Sequence, residues 1–197
     1  MFVAIEGIDG SGKSTVIQQL AKRLPKVYIT KEPSGGPVGM LIKNWVLKGG
    51  TADPYVDALL FAADRLEHYR RDIEPRLREG YVVITERYVE SSIAYQSAAG
   101  VSEEFIKCIN SLVPKPDLTI ILDLDPAVAM ARVRQRGELE KFEQLTFLTK
   151  VRQIYLKRAV EEGYCVVDAS RSPEEVALEV LNIVLKYSRG ERGHCRV

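Results

Sequence analysis

The segment Gly7-Ile8-Asp9-Gly10-Ser11-Gly12-Lys13-Ser14-Thr15 follows an apolar run, Phe2–Ile5, and leads into a helical pattern, Val16-Ile17-Gln18-Gln19-Leu20-Ala21. It has the form G-x-x-x-x-G-K-[ST] in the strand–loop–helix context that gives the motif its meaning. Glycines let successive backbone amides turn toward an anion, and the helix N-terminus adds partial positive charge. Gly7, Ile8, Asp9, Gly10, Ser11, Gly12 and Thr15 therefore read as a phosphate cradle. Lys13 reaches the β- and γ-phosphates, and the Ser14 hydroxyl is a ligand for Mg²⁺. A nucleoside-triphosphate site follows; what its energy is used for does not.

Four more β-rich runs alternate with helical stretches: Val27–Thr30, Tyr81–Thr85, Leu118–Leu124 and Tyr164–Asp168. Most are near-continuous apolar runs, as strands buried on both faces require. Asp125-Pro126 reads as an N-cap followed by proline at the first helical position, and Ser172-Pro173-Glu174-Glu175 as a capping box. Gly80 and Gly163 stand where helices stop before the next strand. Five strands alternating with helices predict a parallel sheet with helices on both faces, a three-layer αβα unit. A length of 197 residues with 46% apolar content suffices for its core. Without repeats or a linker, residues 1–197 read as one domain, with a loose tail over 188–197.

The 28 Lys and Arg nearly balance the 27 Asp and Glu, which argues against binding nucleic acid through a broadly basic surface. The N-terminus shows no signal peptide and no run is long enough to span a bilayer, so a soluble protein without membrane partners is expected. Cys108, Cys165 and Cys195 are odd in number and far apart. They read as thiols in a reducing, cytoplasmic compartment rather than as a disulfide framework or zinc site.

No N-K-x-D segment reads guanine, and the D-x-x-G at Asp9–Gly12 lies inside the phosphate loop itself. With no LSGGQ-type signature either, a compact enzyme passing phosphate to a small acceptor remains. Along Pro54–Pro75, helical periodicity puts Val56, Leu59, Leu60, Ala63, Leu66 and Ile73 on one face, read as the core face. Phe61 and Arg65 fall together on the opposite face, where an aromatic ring and a guanidinium can stack a flat base and bond its edge. The alternative is a second buried stripe with Arg65 in an ordinary ion pair. The third strand ends in Thr85-Glu86-Arg87-Tyr88, and ligands of open α/β sheets bind beyond the carboxyl ends of strands. Glu86 there suits Mg²⁺ or its waters, and Arg87 a phosphate. Asp123 resembles a magnesium aspartate after an apolar strand. Arg132 and Arg136, one helical turn apart, can both face the nucleotide, and Gly137 favours a flap that excludes water.

Together these residues resemble the thymidylate kinase family over most of the chain. Gly7–Thr15 matches its phosphate loop, Lys31-Glu32-Pro33-Ser34-Gly35-Gly36 its R-E-P-G-G segment, and Glu86-Arg87-Tyr88 its D-R-Y/H motif. Phe61 and Arg65 match the residues that hold thymine. Ser92, Tyr95 and Gln96 match positions near base and ribose, and Arg134-Gln135-Arg136-Gly137-Glu138-Leu139 resembles the lid of bacterial-type members. The resemblance implies a P-loop NTPase fold with strand order 2-3-1-4-5, a lid over about 134–144, and a homodimer paired through Pro54–Glu74 or Ser102–Leu112. It implies transfer of the γ-phosphoryl group of MgATP to dTMP, giving dTDP and ADP. Lys13, Arg136, Arg87, Asp9 and Glu86 are then the catalytic set, with Arg134 and Lys141 as the alternatives to Arg136, and with Ser14 and Glu86 at Mg²⁺. Arg132 and Arg134 join the phosphate loop at ATP. Asp9, Glu32, Pro33, Lys43, Phe61, Arg65, Arg87, Ser92, Tyr95 and Gln96 form the dTMP site. Departures are Lys31 for arginine, the altered Ser34, Glu86 for aspartate, Met40 for glutamate and Lys43 for a phosphate-contacting arginine. They keep the reaction class but leave dUMP, another nucleoside monophosphate or a nucleoside as rival acceptors. A nucleotide-dependent binding protein without phosphotransfer is the rival of another class.

Overall fold

The strand preceding the phosphate loop, β1 (Phe2–Glu6), is buried along its whole length, because strands pair with it on both sides and helices cover both faces. The computed structural model describes residues 1–135, 141–142 and 144–191. β1 pairs with β3 (Val82–Glu86) on one side and β4 (Leu118–Asp123) on the other. β2 (Val27–Lys31) lies outside β3 and β5 (Cys165–Asp168) outside β4, all parallel, in the order β2-β3-β1-β4-β5. This is the order the resemblance implies. The edge strand β2 is only half buried, so the expectation of burial on both faces fails there for want of a second neighbour.

Among the described residues eight α-helices connect the strands and a ninth follows the last: α1 (Lys13–Ala21), α2 (Pro37–Asn44), α3 (Pro54–His68), α4 (Glu74–Arg78), α5 (Val89–Ala98), α6 (Glu103–Ile109), α7 (Pro126–Arg134), α8 (Leu145–Glu162) and α9 (Pro173–Ser188). α1 packs with α9, while α5 packs with α3, α6 and α8. The expected helix ends are present. Asp125 accepts from the N–H groups of Ala127 and Val128, Ser172 and Glu175 form a reciprocal capping box, and Gly163 ends α8 in the left-handed conformation. α9 runs through Ser188, the first residue of the expected tail; residues 192–197 lie outside the described residues. No helix among the described residues is long and apolar enough to cross a membrane.

Two expectations are overturned. The apolar stripe of α3 does not face the core: Val56 and Leu59 are 38% and 50% exposed, whereas Asp57, Ala58, Ala62, Asp64, Arg65 and His68 are buried. The inversion is affordable because the buried polar groups find partners. Asp64 accepts from the Ser34 amide at 2.8 Å and its hydroxyl at 2.6 Å, while His68 lies against Thr30 and Glu32. Ile73, the last residue of the stripe, is buried after a π-helical turn over Tyr69–Ile73 shifts the register. Second, Cys165 is disulfide-bonded, against the expectation of thiols throughout; Cys108 is free and exposed.

The parallel register puts the carboxyl ends of all five strands at one edge. Ile5 lies opposite Glu86, Lys31 opposite Glu86, and Asp123 opposite Asp168. α5, which leaves β3 at this edge, is anchored from behind by Arg158 of α8, whose Nε and Nη2 each bond Glu90 at 3.0 Å.

Candidate active site

The phosphate loop turns through three glycines with positive φ, and two of them show why glycine is required. Gly12, at φ 90°, occupies the N-cap of α1, which has no side-chain cap and no acidic residue in its first turn. Its first amides are thereby left to the loop's concavity. Gly10, at φ 83°, passes so close to α7 that a Cβ would lie 2.4 Å from the Ala129 carbonyl oxygen. Lys13 bends back to donate to the carbonyls of Gly7 at 3.1 Å and Ile8 at 2.9 Å. Burial pushes its ammonium down to about 8, helped by repulsion from Arg87 and opposed by Asp9, Glu86 and Glu6. The Ser14 hydroxyl donates to Glu86 Oε2 at 2.7 Å.

Above this loop lies a cleft of about 460 Å³ bounded by residues 9–16, Glu86 and Arg132. Arg132 donates to the Gly10 carbonyl at 3.4 Å. Its far wall comes from Ala169, Arg171, Pro173 and Val176, which the sequence reading missed. The rule that ligands sit beyond strand ends applies equally to β5 and was the available signal for Arg171.

A second cavity adjoins the first, and Asp9 lines both. Its walls are Glu32, Pro33, Phe61, Arg65, Arg87, Ser92, Tyr95 and Gln96, all expected, together with Leu47, Ser91 and Phe142, which were not. Phe142 packs edge-on to Tyr95 at 5.9 Å between centroids; as a single aromatic beyond the arginine run it carried no periodic signal. Arg65 is not in a surface ion pair. Its guanidinium is buried, donating to Glu32 Oε2 at 2.8 Å, Asn110 Oδ1 at 2.6 Å and the Tyr88 carbonyl at 3.0 Å. Nη2 also lies 2.8 Å from Glu32 Oε2, so these contacts leave one of its five N–H groups, on Nη1. Ser92 Oγ and Gln96 Oε1 are buried without a partner among the described residues. Unpartnered polar atoms on a cavity wall are costly unless a ligand engages them.

Where the cavities meet, Arg87 pairs with Asp9 Oδ1, and the Tyr95 hydroxyl donates to Asp9 Oδ2 at 2.7 Å. Arg87 Nη1 also donates to Ser91 Oγ at 3.0 Å. Arg87 and Lys13 hold the Asp9 carboxyl below the usual carboxylate range, outweighing burial, the largest single influence, which acts upward. Arg87 itself has φ 72°, a backbone region that non-glycine residues rarely occupy.

Several predicted residues lie elsewhere. Lys43 does not line the acceptor cavity; its ammonium donates to the Ser34 carbonyl at 2.8 Å. Asp123 is held by Arg152 through bonds of 2.7 and 2.8 Å and is not among the residues lining either cleft, so it is no magnesium aspartate here. Arg134 ends α7 exposed to solvent. Arg136 and the lid residues 137–140 lie outside the described residues. Lys141 pairs with Asp57 at 2.7 Å rather than facing the donor cleft. Ser34, the departure from the family's segment, anchors the loop to Asp64 and also accepts from the Gly36 amide at 3.0 Å.

The family profile described as thymidylate kinase matches residues 5–180. The chain belongs to the thymidylate kinase family. A probable thymidylate kinase of Pyrobaculum aerophilum is 72% identical over 188 residues, covering 95% of this chain and 98% of that one. A thymidylate kinase of Cereibacter sphaeroides is 40% identical over 195 residues, covering 89% of each. The crystal structure of thymidylate kinase from Ehrlichia chaffeensis superposes with a TM-score of 0.77 at 30% identity, covering 94% of this chain and 98% of that one. The matched family region contains both cavities.

Gly10→Ala combines a left-handed backbone with a collision against main chain. It is expected to lower unfolding stability by about 1–3 kcal/mol and to weaken ATP binding by at least roughly tenfold. Urea unfolding and calorimetric titration with ATP measure the two effects; wild-type values in both would refute this reading of the loop.

Proposed function

We propose that the chain transfers the γ-phosphoryl group of MgATP to the 5′-phosphate of dTMP, giving dTDP and ADP. The observation that carries this reading is the junction of the two cavities at Asp9, beside Arg87, with the aromatic rings of Phe61, Tyr95 and Phe142 on one side and the phosphate loop on the other. Phe61 stacks on thymine, while Arg65, Ser92 and Gln96 bond its edge. The spare N–H of Arg65 and the unpartnered oxygens of Ser92 and Gln96 are the complement that a base carrying both donors and acceptors needs. The Tyr95 ring crowds the ribose 2′ position and favours deoxyribose.

In the transfer step an oxygen of the acceptor phosphate attacks the γ-phosphorus. The bond from that phosphorus to the β,γ-bridging oxygen breaks, and the oxygen departs on ADP. The acceptor phosphate is already ionised, so no strong base is needed, and positioning with charge neutralisation carries the rate. Lys13 follows the charge on the moving group, Arg87 holds the acceptor phosphate, and Asp9 steers the acceptor by orienting Arg87. Ser14 and Glu86 present a hydroxyl and one carboxylate within 2.7 Å of each other, an oxygen donor set that fits Mg²⁺ with its retained waters and phosphate oxygens. When bound, that ion neutralises charge on the β- and γ-phosphates. Arg132 lies beside the donor, and Arg136 is assigned to the transferring phosphoryl group.

The exposed face of α3, with Val56 and Leu59, continues the apolar character of Met40, Leu41 and Trp45, each 44–45% exposed. We assign this surface to a second copy of the chain, since several large apolar side chains left to water favour association. Light scattering is expected to give twice 22.1 kDa, and Leu59→Asp to give the single mass. A monomeric parent would dismiss the dimer.

An acceptor panel in a coupled assay tests the reaction. dTMP is expected to have the highest kcat/KM among nucleoside monophosphates; a better acceptor such as dUMP would replace it, and ATP binding without turnover would point to a binding protein. In the same assay Arg136→Ala is expected to lower kcat by about 10³-fold, as loss of an arginine finger does. An unchanged kcat would move that role to Arg134.

A further inference from the structure

β1 ends in a carboxylate that the reaction as described leaves unused. Glu6 is fully buried immediately before the first glycine of the phosphate loop. Its Oε1 accepts from the backbone N–H groups of Tyr88 at 2.8 Å and Ser91 at 3.3 Å. Its Oε2 accepts from the Ser91 hydroxyl at 2.6 Å and the Tyr155 hydroxyl at 2.9 Å.

Tyr88 is the N-cap of α5 and Ser91 its third helical residue, yet the helix has no side-chain cap of its own. Those two N–H groups are the pair that a capping box satisfies reciprocally within one helix. Here a single carboxylate from the neighbouring strand takes both. The residue before this cap is Arg87, whose left-handed backbone is held by its own N–H bond to the Ile5 carbonyl at 3.0 Å and by the capped Tyr88 amide behind it. The Ser91 hydroxyl, donating to Glu6, accepts from Arg87 Nη1. Backbone and guanidinium of Arg87 are therefore both tied to the same buried carboxylate.

We infer that Glu6 is a positioning residue: it caps α5 from β1 and, through the Tyr88 amide and the Ser91 hydroxyl, aims Arg87 at the acceptor's phosphate. The inference rests on the assignment of Arg87 to that phosphate. An ionised carboxylate accepts all four hydrogen bonds, whereas a protonated one must donate at one oxygen and reverse a bond within the Glu6–Ser91–Tyr155 ring. Burial pushes the Glu6 carboxyl up to about 7, against Ser91, Arg87 and Tyr155, which pull it down; Glu90 adds to the rise. Of the charged groups around it, Arg87 and Glu90 come from the start of α5 and Lys13 from α1, with the Tyr155 phenol facing it from α8. The acceptor side of the reaction is thus expected to improve as pH rises through about 7.

Steady-state kinetics of the parent, Glu6→Gln and Ser91→Ala between about pH 5.5 and 8.5 test this, because subtracting the Glu6→Gln profile removes titration of the substrate phosphate near about 6. Glu6→Gln is expected to lower kcat/KM for dTMP by about 10–100-fold, leave KM for ATP within about twofold, and lose the component of the rise centred near 7. Ser91→Ala is expected to show the same selectivity at smaller size, and it decides the matter if Glu6→Gln fails to fold. An unchanged kcat/KM for dTMP overturns the inference, as does an equal change in both KM values with the parent's pH profile. A parent inactive on dTMP overturns the proposed reaction instead. The positioning claim is then read by nitrogen NMR of the Arg87 guanidinium, which should be held in slow exchange in the parent and lose that order in Glu6→Gln.

Discussion

Everything at the active edge depends on β1 pairing in parallel with β3 and β4. That pairing sets Ile5 beside Glu86 and Glu6 beside Ile121, so the chain leaving β1 and the chain leaving β3 emerge as neighbours. The first becomes the phosphate loop and the second delivers Glu86 and Arg87. A one-residue slip of β1 would turn Glu6 toward the opposite face, and a slip of either strand would separate Ser14 from Glu86. The site is therefore not a set of loops converging by chance of packing. It is the continuation of two adjacent strands, and buried backbone pairing supplies its precision.

Charge at this edge is balanced before any ligand arrives. Arg87 is paired with Asp9, Ser14 with Glu86, and Lys13 rests on loop carbonyls. Each cation is thereby kept oriented without being neutralised by burial alone, and an incoming phosphate exchanges one acceptor for another rather than meeting a disordered side chain. The nearly neutral chain, with 28 cationic and 27 acidic side chains, conceals this local arrangement. Overall charge speaks to nonspecific association with polyanions; the clustering at strand ends speaks to phosphate.

The fold was largely legible because its signals are local. Buried strands read as apolar runs, Asp125 and Ser172 announce helix starts, and the phosphate loop declares the strand before it and the helix after it. The acceptor cavity was legible in part, since Phe61 and Arg65 share a face at i and i+4. Three misreadings have one origin. The apolar face of α3, the apparent metal role of Asp123 and the reach of Lys43 were inferred from residue type and position, but each was decided by a distant partner. Asp64 bonds Ser34, Arg152 grips Asp123, and the Ser34 carbonyl holds Lys43. Periodicity reports which face of a helix is apolar; it does not report whether the same chain covers that face.

The inversion of α3 links assembly to the acceptor site. A helix with an apolar face outward and a polar face inward is stable in isolation only if the inward groups are fully bonded. Asp57 is the exception: one oxygen pairs with Lys141 and the other has no partner among the described residues. Glu32, Asn110 and the Tyr88 carbonyl hold Arg65 on the inner face, while Val56 and Leu59 stand on the outer. Covering the outer face with a second copy would restrict rotation of the helix about its axis. Any such rotation carries Phe61 and Arg65 across the acceptor cavity, so an interface placed there stiffens the wall against which the base stacks, although it contributes no atom to the site.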